Sequence, residues 1–274
     1  MAFRFAVPDT LAVIPLITGL EADSECEVVR DTPANIGVRF SGAGEQFDAA
    51  LISPFDYARH GGSYRILPGI AVSVVEPTGV SRLRIRPDAV TLTSLATDLR
   101  STSDVVLATL LLKEKYPPAG REGKGPVIVP VENATNATFG KADAVLEWFP
   151  SPPRNQPEGF FLDLYDEWLD LTEAPLVLGF WVVREEADSK DVFSKVTSAA
   201  KQGVADLSPS ITRGAERYGL DEVTVRSVFG KHSYTMGVEQ MDGIDSLFRV
   251  AFAHSVLGDV PEIVFFDPSE TVNR

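Results

Sequence analysis

Leu99-Arg-Ser-Thr-Ser-Asp104 runs directly into Val105-Val-Leu-Ala-Thr-Leu-Leu-Leu112. Small hydroxyl residues ahead of an apolar periodic run mark a helix N-terminus. The first-turn amides of a helix have no intrahelical acceptor, and the positive end of the helix dipole adds to them, so such a terminus holds an anion readily. Thr102 and Ser103 bring two further hydroxyl donors. Two readings stand here: a plain helix cap, or one half of an anion site.

Working outward, strands and helices alternate on both sides of this helix. Phe3-Arg-Phe-Ala-Val7 alternates as a strand, and Pro8-Asp-Thr10 opens a helix through Leu20. Glu27–Arg30 is a second strand, a short helix spans Pro33–Val38, and Ala49–Ser53 is an apolar strand ending at Pro54. Tyr64–Leu67 and Ile70–Val74 read as two strands, and Leu176–Val183 as a buried one by its continuous apolar run. Helices are predicted over 188–206, 208–218, 221–229 and 242–257, with 265–274 as an appendage. The pattern predicts an α/β protein with parallel sheets in two lobes, residues 1–88 plus 184–274 and residues 89–183. Ligands of open α/β sheets bind beyond the carboxyl ends of strands, where Ser53 and Ser103 would both sit, facing a cleft between the lobes.

The composition of the 274 residues narrows the functional classes. Hydrophobic residues make up 44% and charged residues 23%, an ordinary globular balance, and the net charge is −14. A surface that acidic repels phosphate backbones and anionic lipids, which argues against nucleic-acid and membrane partners. Cys26 is the one cysteine, so there is no internal disulfide and no cysteine metal cluster. His60, His232 and His254 show no metal-ligand spacing and are read as surface or packed side chains. The apolar stretch Leu11–Leu20 is interrupted by Pro15 and followed by acidic residues, unlike a secretory leader, and the expected location is the cytoplasm.

Several stretches, taken in order, resemble a known family. Ala50-Leu-Ile-Ser-Pro-Phe-Asp-Tyr-Ala58, then Tyr64-Arg-Ile-Leu-Pro-Gly-Ile-Ala-Val-Ser73, then Arg100-Ser-Thr-Ser103 look like the chorismate dehydratase of the futalosine route to menaquinone. Asp166-Glu-Trp-Leu-Asp-Leu-Thr-Glu-Ala-Pro-Leu176 is similar to that family's "EW…TG.PF" segment, and the likeness covers roughly residues 3–185. The resemblance implies a two-lobed type II periplasmic-binding-protein-like fold with a ligand cleft between the lobes. It also implies a lyase that removes water from chorismate to give 3-[(1-carboxyvinyl)oxy]benzoate. No metal or organic cofactor is implied, and the expected partner is a small carboxylate, bound by a monomer or homodimer.

Carried over residue by residue, the resemblance assigns substrate binding to Ser53, Thr102 and Ser103. The family serine of "G-P-V-x-S-V" falls on Ser81, as a catalytic residue. The family asparagine of "Y-L-N-x-x-P-L" falls on Ala12, a departure that removes a carboxamide worth ~10²–10³ in rate where it stabilises developing charge. That departure keeps a second function open: a diverged binding protein holding a small aromatic or cyclic carboxylate in the same cleft. A related enzyme of the pathway uses a histidine base, and residues 130–138 contain no histidine.

Other features have two readings each. Ser53 either hydrogen-bonds a carboxylate or caps the turn after Pro54. Arg82, Arg84 and Arg86 share one strand face, which is either solvated or borders the cleft as an anion clamp. Trp148, Trp168 and Trp181 suit core packing, with Trp181 also placed to flank a ring ligand.

Overall fold

Phe5, Ala6 and Val7 are apolar on both faces of their strand, so it lies inside a sheet rather than on one edge. The computed structural model describes residues 2–60, 63–117, 124–134, 139–154, 160–185 and 189–269. The first lobe begins with β1 (Phe3–Pro8), a 3-10 turn (Leu11–Val13) and α1 (Ile14–Ala22). It continues through β2 (Cys26–Asp31), α2 (Pro33–Ser41), β3 (Ala49–Ile52), α3 (Pro54–Arg59) and β4 (Tyr64–Val74). The chain then crosses into β5 (Ser81–Ile85), β6 (Ser94–Thr97), α4 (Thr102–Lys115), β7 (Val127–Pro130), β8 (Ala144–Trp148), β9 (Phe160–Asp163) and α5 (Leu164–Thr172). It returns through β10 (Leu176–Arg184), α6 (Lys190–Ala205), α7 (Ser208–Tyr218), α8 (Glu222–Gly230), β11 (His232–Thr235) and α9 (Val238–Ala253).

Two sheets result, ordered β11-β4-β10-β3-β1-β2 and β7-β6-β8-β5-β9. Both are mixed, which corrects the expectation of parallel sheets. β1 runs parallel to β2 and β3, but β10 is antiparallel to β3 and β4. In the smaller sheet β6 is parallel to β7 and β8, whereas β5 is antiparallel to β8 and β9. By sheet membership the chain changes lobes between β4 and β5, and again between α5 and β10, rather than at 88/89 and 183/184.

Three local differences have physical causes. The two strands expected at 64–67 and 70–74 are one strand, β4, because a bulge absorbs Pro68 and Gly69 takes φ 81° there. Residues 232–235 form the edge strand β11, pairing His232 with Val74 and Ser233 with Ser73. Phe265, expected in an appendage, bridges Ile66, with Ile66 N donating to Val264 O and Phe266 N to Ile66 O.

Hydrophobic burial ties the helices to the sheets. Leu16, Ile17 and Val196 of α1 and α6 pack with Phe5 and Trp181 on one face of the larger sheet. Trp181 is fully buried with its ring edge-on to Phe5 at 5.8 Å, in the core as its first reading had it and not flanking the cleft. In the second lobe Leu107, Leu111 and Trp168 of α4 and α5 pack on Leu83 and Leu146, and Leu247 of α9 joins them from the first lobe.

Arg82 and Arg84 of β5 are neither solvated nor part of the cleft, whereas Arg86, just past the strand, is partly exposed and pairs with Asp88 and Asp143. Arg82 Nε and Arg84 Nε each donate to Glu147 on β8 at 2.9 Å, one to each carboxylate oxygen. The Arg82 guanidinium lies 4.4 Å from the Phe161 ring centroid, and that of Arg84 lies 4.5 Å from Phe139.

Candidate functional site

A cavity of about 60 Å³ lies between the lobes. Thr10, Ala12, Leu51, Ser53 and Val72 line it from the first lobe, and Ser101, Ser103, Asp104, Trp148 and Tyr165 line it from the second. Its walls are otherwise apolar, and no lysine, arginine or histidine is among the lining residues described. Two backbone hydrogen bonds join the lobes beside it: Leu11 N to Pro150 O at 2.8 Å, and Ala34 N to Arg100 O at 3.0 Å. An engineered cavity that takes up benzene measures roughly 150 Å³. A ring compound therefore occupies this space only after the lobes or lining side chains move apart.

The α4 N-terminus supplies the polar wall. Leu99 turns the chain with φ 60°, a conformation that costs a non-glycine residue roughly 1–2 kcal/mol. Asp98 holds that turn by accepting from Arg100 N at 3.3 Å and Ala134 N at 3.2 Å. Ser101 is the N-cap, its Oγ accepting from Asp104 N at 3.3 Å. That leaves the Thr102 and Ser103 amides without an intrahelical acceptor. At 100° per residue, 103, 104 and 107 share the cavity-facing side. Ser103 lines the cavity with a buried Oγ that has no hydrogen-bond partner. Thr102, predicted to bind substrate, is half-buried and outside the lining, because the helix turns it away.

The residue that the sequence reading missed is Asp104. It is 4% exposed, lines the cavity, and its Oδ2 is buried without a partner. Tyr165 of α5 donates its hydroxyl to Oδ1 at 3.4 Å. Burial pushes the Asp104 carboxyl up to about 6; the hydroxyls of Ser101, Ser81 and Tyr165 pull it down, and the Asp163 charge adds to the rise. The unfolded-chain value is near 4, so the folded state binds this proton more tightly. Stability from this group is full below about pH 4 and is lost as pH rises through 6. A carboxylate kept ionised at neutral pH at the fold's expense is a mark of a functional site.

The other expected site residues fall in mixed positions. Ser53 lines the cavity, but it caps α3: its hydroxyl donates to Asp56 Oδ2 at 2.6 Å and accepts from Asp56 N at 3.2 Å. Its one proton is thus committed, and burial raises the pKa of its partner Asp56. Ser81, expected to be catalytic, is fully buried and outside the cavity lining. Its Oγ makes no well-directed hydrogen bond, yet it lies beside Asp104 and Tyr165 and lowers the pKa of both. Ala12 does line the cavity, presenting a methyl group from the 3-10 turn.

A smaller pocket of about 30 Å³ adjoins this one, sharing Thr10, Ala12, Trp148 and Tyr165, and reaches His232. His232 Nδ1 lies 2.7 Å from Val228 O, a carbonyl that only accepts, so Nδ1 carries the proton. Burial lowers its pKa to about 4, leaving a neutral ring whose buried Nε2 has no partner.

With this geometry in place, the sequence matches the profile of the menaquinone biosynthesis family over residues 4–253. The chain belongs to the menaquinone biosynthesis family. Solved structures agree on the architecture of this family member. Protein AF1704 from Archaeoglobus fulgidus is similar with TM-score 0.69 at 19% identity, over 93% of this chain and 98% of that one. The ligand-binding component of an ABC-type import system from Staphylococcus aureus, with zinc bound, gives TM-score 0.65 at 12% identity, over 98% and 97%. The alkanesulfonate-binding protein SsuA from Xanthomonas axonopodis pv. citri, bound to MOPS, gives 0.58 at 13%, over 96% of each. At these identities the likeness establishes a two-lobed, type II periplasmic-binding-protein-like fold. A search of the curated proteins returns no match. Among the described residues no helix is long and apolar enough to cross a membrane.

Proposed function

We propose that this member of the menaquinone biosynthesis family is a chorismate-dehydratase-type lyase of the cytoplasm. It removes water from chorismate to give 3-[(1-carboxyvinyl)oxy]benzoate. The observation that carries the reading is the closed inter-lobe cavity, where apolar walls meet the α4 N-terminus with the unpartnered Ser103 hydroxyl. Once the lobes or lining side chains part, a ring lies between apolar surfaces, and its carboxylate takes up amides and hydroxyls that otherwise lack acceptors. SsuA holds a sulfonate-bearing compound on the same fold, which supports an oxyanion ligand here by analogy. Elimination to an aromatic ring relies on positioning and exclusion of water, and an apolar cavity flanked by two inter-lobe hydrogen bonds favours both.

Incubation of the purified protein with chorismate tests this reading. The expected result is protein-dependent appearance of the aromatic ether, with Ser103→Ala raising KM. A folded sample without turnover above background removes the assignment. One observation favours a second reading: the cavity wall at position 12 is a methyl rather than an amide. On that reading the protein binds a ring carboxylate without converting it, so benzoate-like acids raise Tm and no product forms. Ala12→Asn then separates a degenerate enzyme, which gains turnover, from a repurposed binder, which stays silent.

A further inference from the structure

We propose that the ligand reaches the inter-lobe cavity through a channel beneath residues 150–154, a strap that lifts from the first lobe while the lobes stay together. The proposal rests on the reading of that cavity as the ligand site, and it holds for a lyase and a binder alike. Three spaces lie in line. The innermost is the cavity of about 60 Å³, with Ala12 and Trp148 in its wall. The pocket of about 30 Å³ shares those two residues and runs on between Pro150 and Val228. Beyond it, an open groove of about 620 Å³ lies between Pro152, Pro153 and Arg154 on one side and Gly219, Asp221 and Thr224 on the other. Thr224 and Val228 are one turn apart on the same face of α8, so groove and pocket share that helix as a floor. The strap roofs both in matching order, Pro150 inside and Arg154 outside.

The floor is fixed and the roof is loose. Leu11 of the 3-10 turn packs with Ile14, Ile211, Val225 and Phe229, which anchors the floor on the first lobe. The root of the strap is held as well, since Phe149 N donates to Val80 O at 2.8 Å. Past that point Pro150, Pro152 and Pro153 have no N–H to offer. Among the described residues one backbone hydrogen bond ties the strap to the first lobe, Leu11 N to Pro150 O. Lifting the strap breaks that bond and uncovers side chains that are already half-exposed or exposed.

Parting the lobes asks for far more. One apolar core runs across the boundary, joining Phe55, Leu247 and Ala251 of the first lobe to Leu107, Leu111 and Trp168 of the second. At its far end Lys113 Nζ donates to His254 O at 3.2 Å, and Glu114 pairs with His254 at the α9 C-cap. Hydrophobic stabilisation grows with the area removed from water, so opening along this core exposes buried apolar surface of both lobes. The strap is the weaker boundary.

Arg154 gives the mouth its charge. Its guanidinium reaches the α7 C-cap, where a Cβ added at Gly219 would stand 3.4 Å from Nη2. The Asp221 carboxylate opposite is occupied in capping α8, accepting from Thr224 N and Oγ at 2.8 Å each. On a chain of net charge −14, an anionic ring compound meets a cation at this entrance.

The test follows binding of 3-[(1-carboxyvinyl)oxy]benzoate to the full chain by stopped-flow tryptophan fluorescence, since Trp148 lines the cavity. Thr224→Tyr puts a bulky side chain under the strap. Association and dissociation rate constants are expected to fall together by ~10-fold or more, with Kd within about threefold, as for a blocked route to an intact site. Arg154→Glu is expected to slow association by roughly threefold at low salt and not at ~1 M salt, with dissociation unchanged. A short bis-maleimide bridging Glu114→Cys to His254→Cys, in a Cys26→Ser background, is expected to leave both rate constants within about threefold of the unbridged variant. Should Thr224→Tyr fail to fold, the other two variants decide. Association unchanged in Thr224→Tyr, unchanged at low salt in Arg154→Glu, or slowed ~10-fold by the bridge overturns the proposal while the parent reading stands. A wild-type protein that does not bind this compound overturns both.

Discussion

Glu147→Ala is expected to destabilise the protein by roughly 3–5 kcal/mol. Glu147 is 1% exposed and bonds Arg82 and Arg84, whose side chains are 5% and 14% exposed. Removing it leaves two guanidinium groups in a space walled by phenylalanine rings, and their uncompensated desolvation dominates the effect. Thermal unfolding should fall by on the order of 10 °C. Because the triad is buried, that loss should persist at ~1 M salt, where exposed ion pairs are screened. Replacing all three residues with Met should recover much of it, because apolar packing competes well with buried charge. A loss below about 1 kcal/mol would mean that water reaches this face of the sheet.

Gly203→Ala comes next in size. Alanine in a helix interior ordinarily gains about 1 kcal/mol over glycine. Here an added Cβ would stand 2.0 Å from Pro15 O, a backbone atom with no rotamer to yield. Steric cost wins, and α6 must lift from α1 at about 2–3 kcal/mol or more net. The consequence reaches the site, since α1 follows directly from the turn that sets Ala12 and Thr10 in the cavity wall. Thermal unfolding and chorismate KM measured together check this: both should worsen, and an unchanged KM would uncouple α1 from the cavity.

The same long-range packing marks what could be read from the chain. The α/β alternation, the helix start after Ser101 and the strand ending at Ser53 were legible because they rest on local periodicity and capping. Arg82 and Arg84 were placed correctly on one face, but their fate depended on Glu147, more than 60 residues away, so no local pattern disclosed it. Ser53 lines the cavity, yet its proton goes to Asp56, a pairing that both of its local readings passed over. Asp104 was the readable signal that went unused. An acid in a first helical turn is ordinary, but Asp104 shares a stripe with Leu107, Ala108 and Leu111, all buried. An acid on a buried apolar stripe is the anomaly that points to chemistry.

A crystal structure with 3-[(1-carboxyvinyl)oxy]benzoate tests the account most directly. The ring carboxylate should lie within about 3 Å of Ser103 Oγ and the α4 amides, with the ring between Ala12 and Trp148. The product seated outside the inter-lobe cavity, or with its ring carboxylate away from Ser103 and the α4 amides, would contradict it.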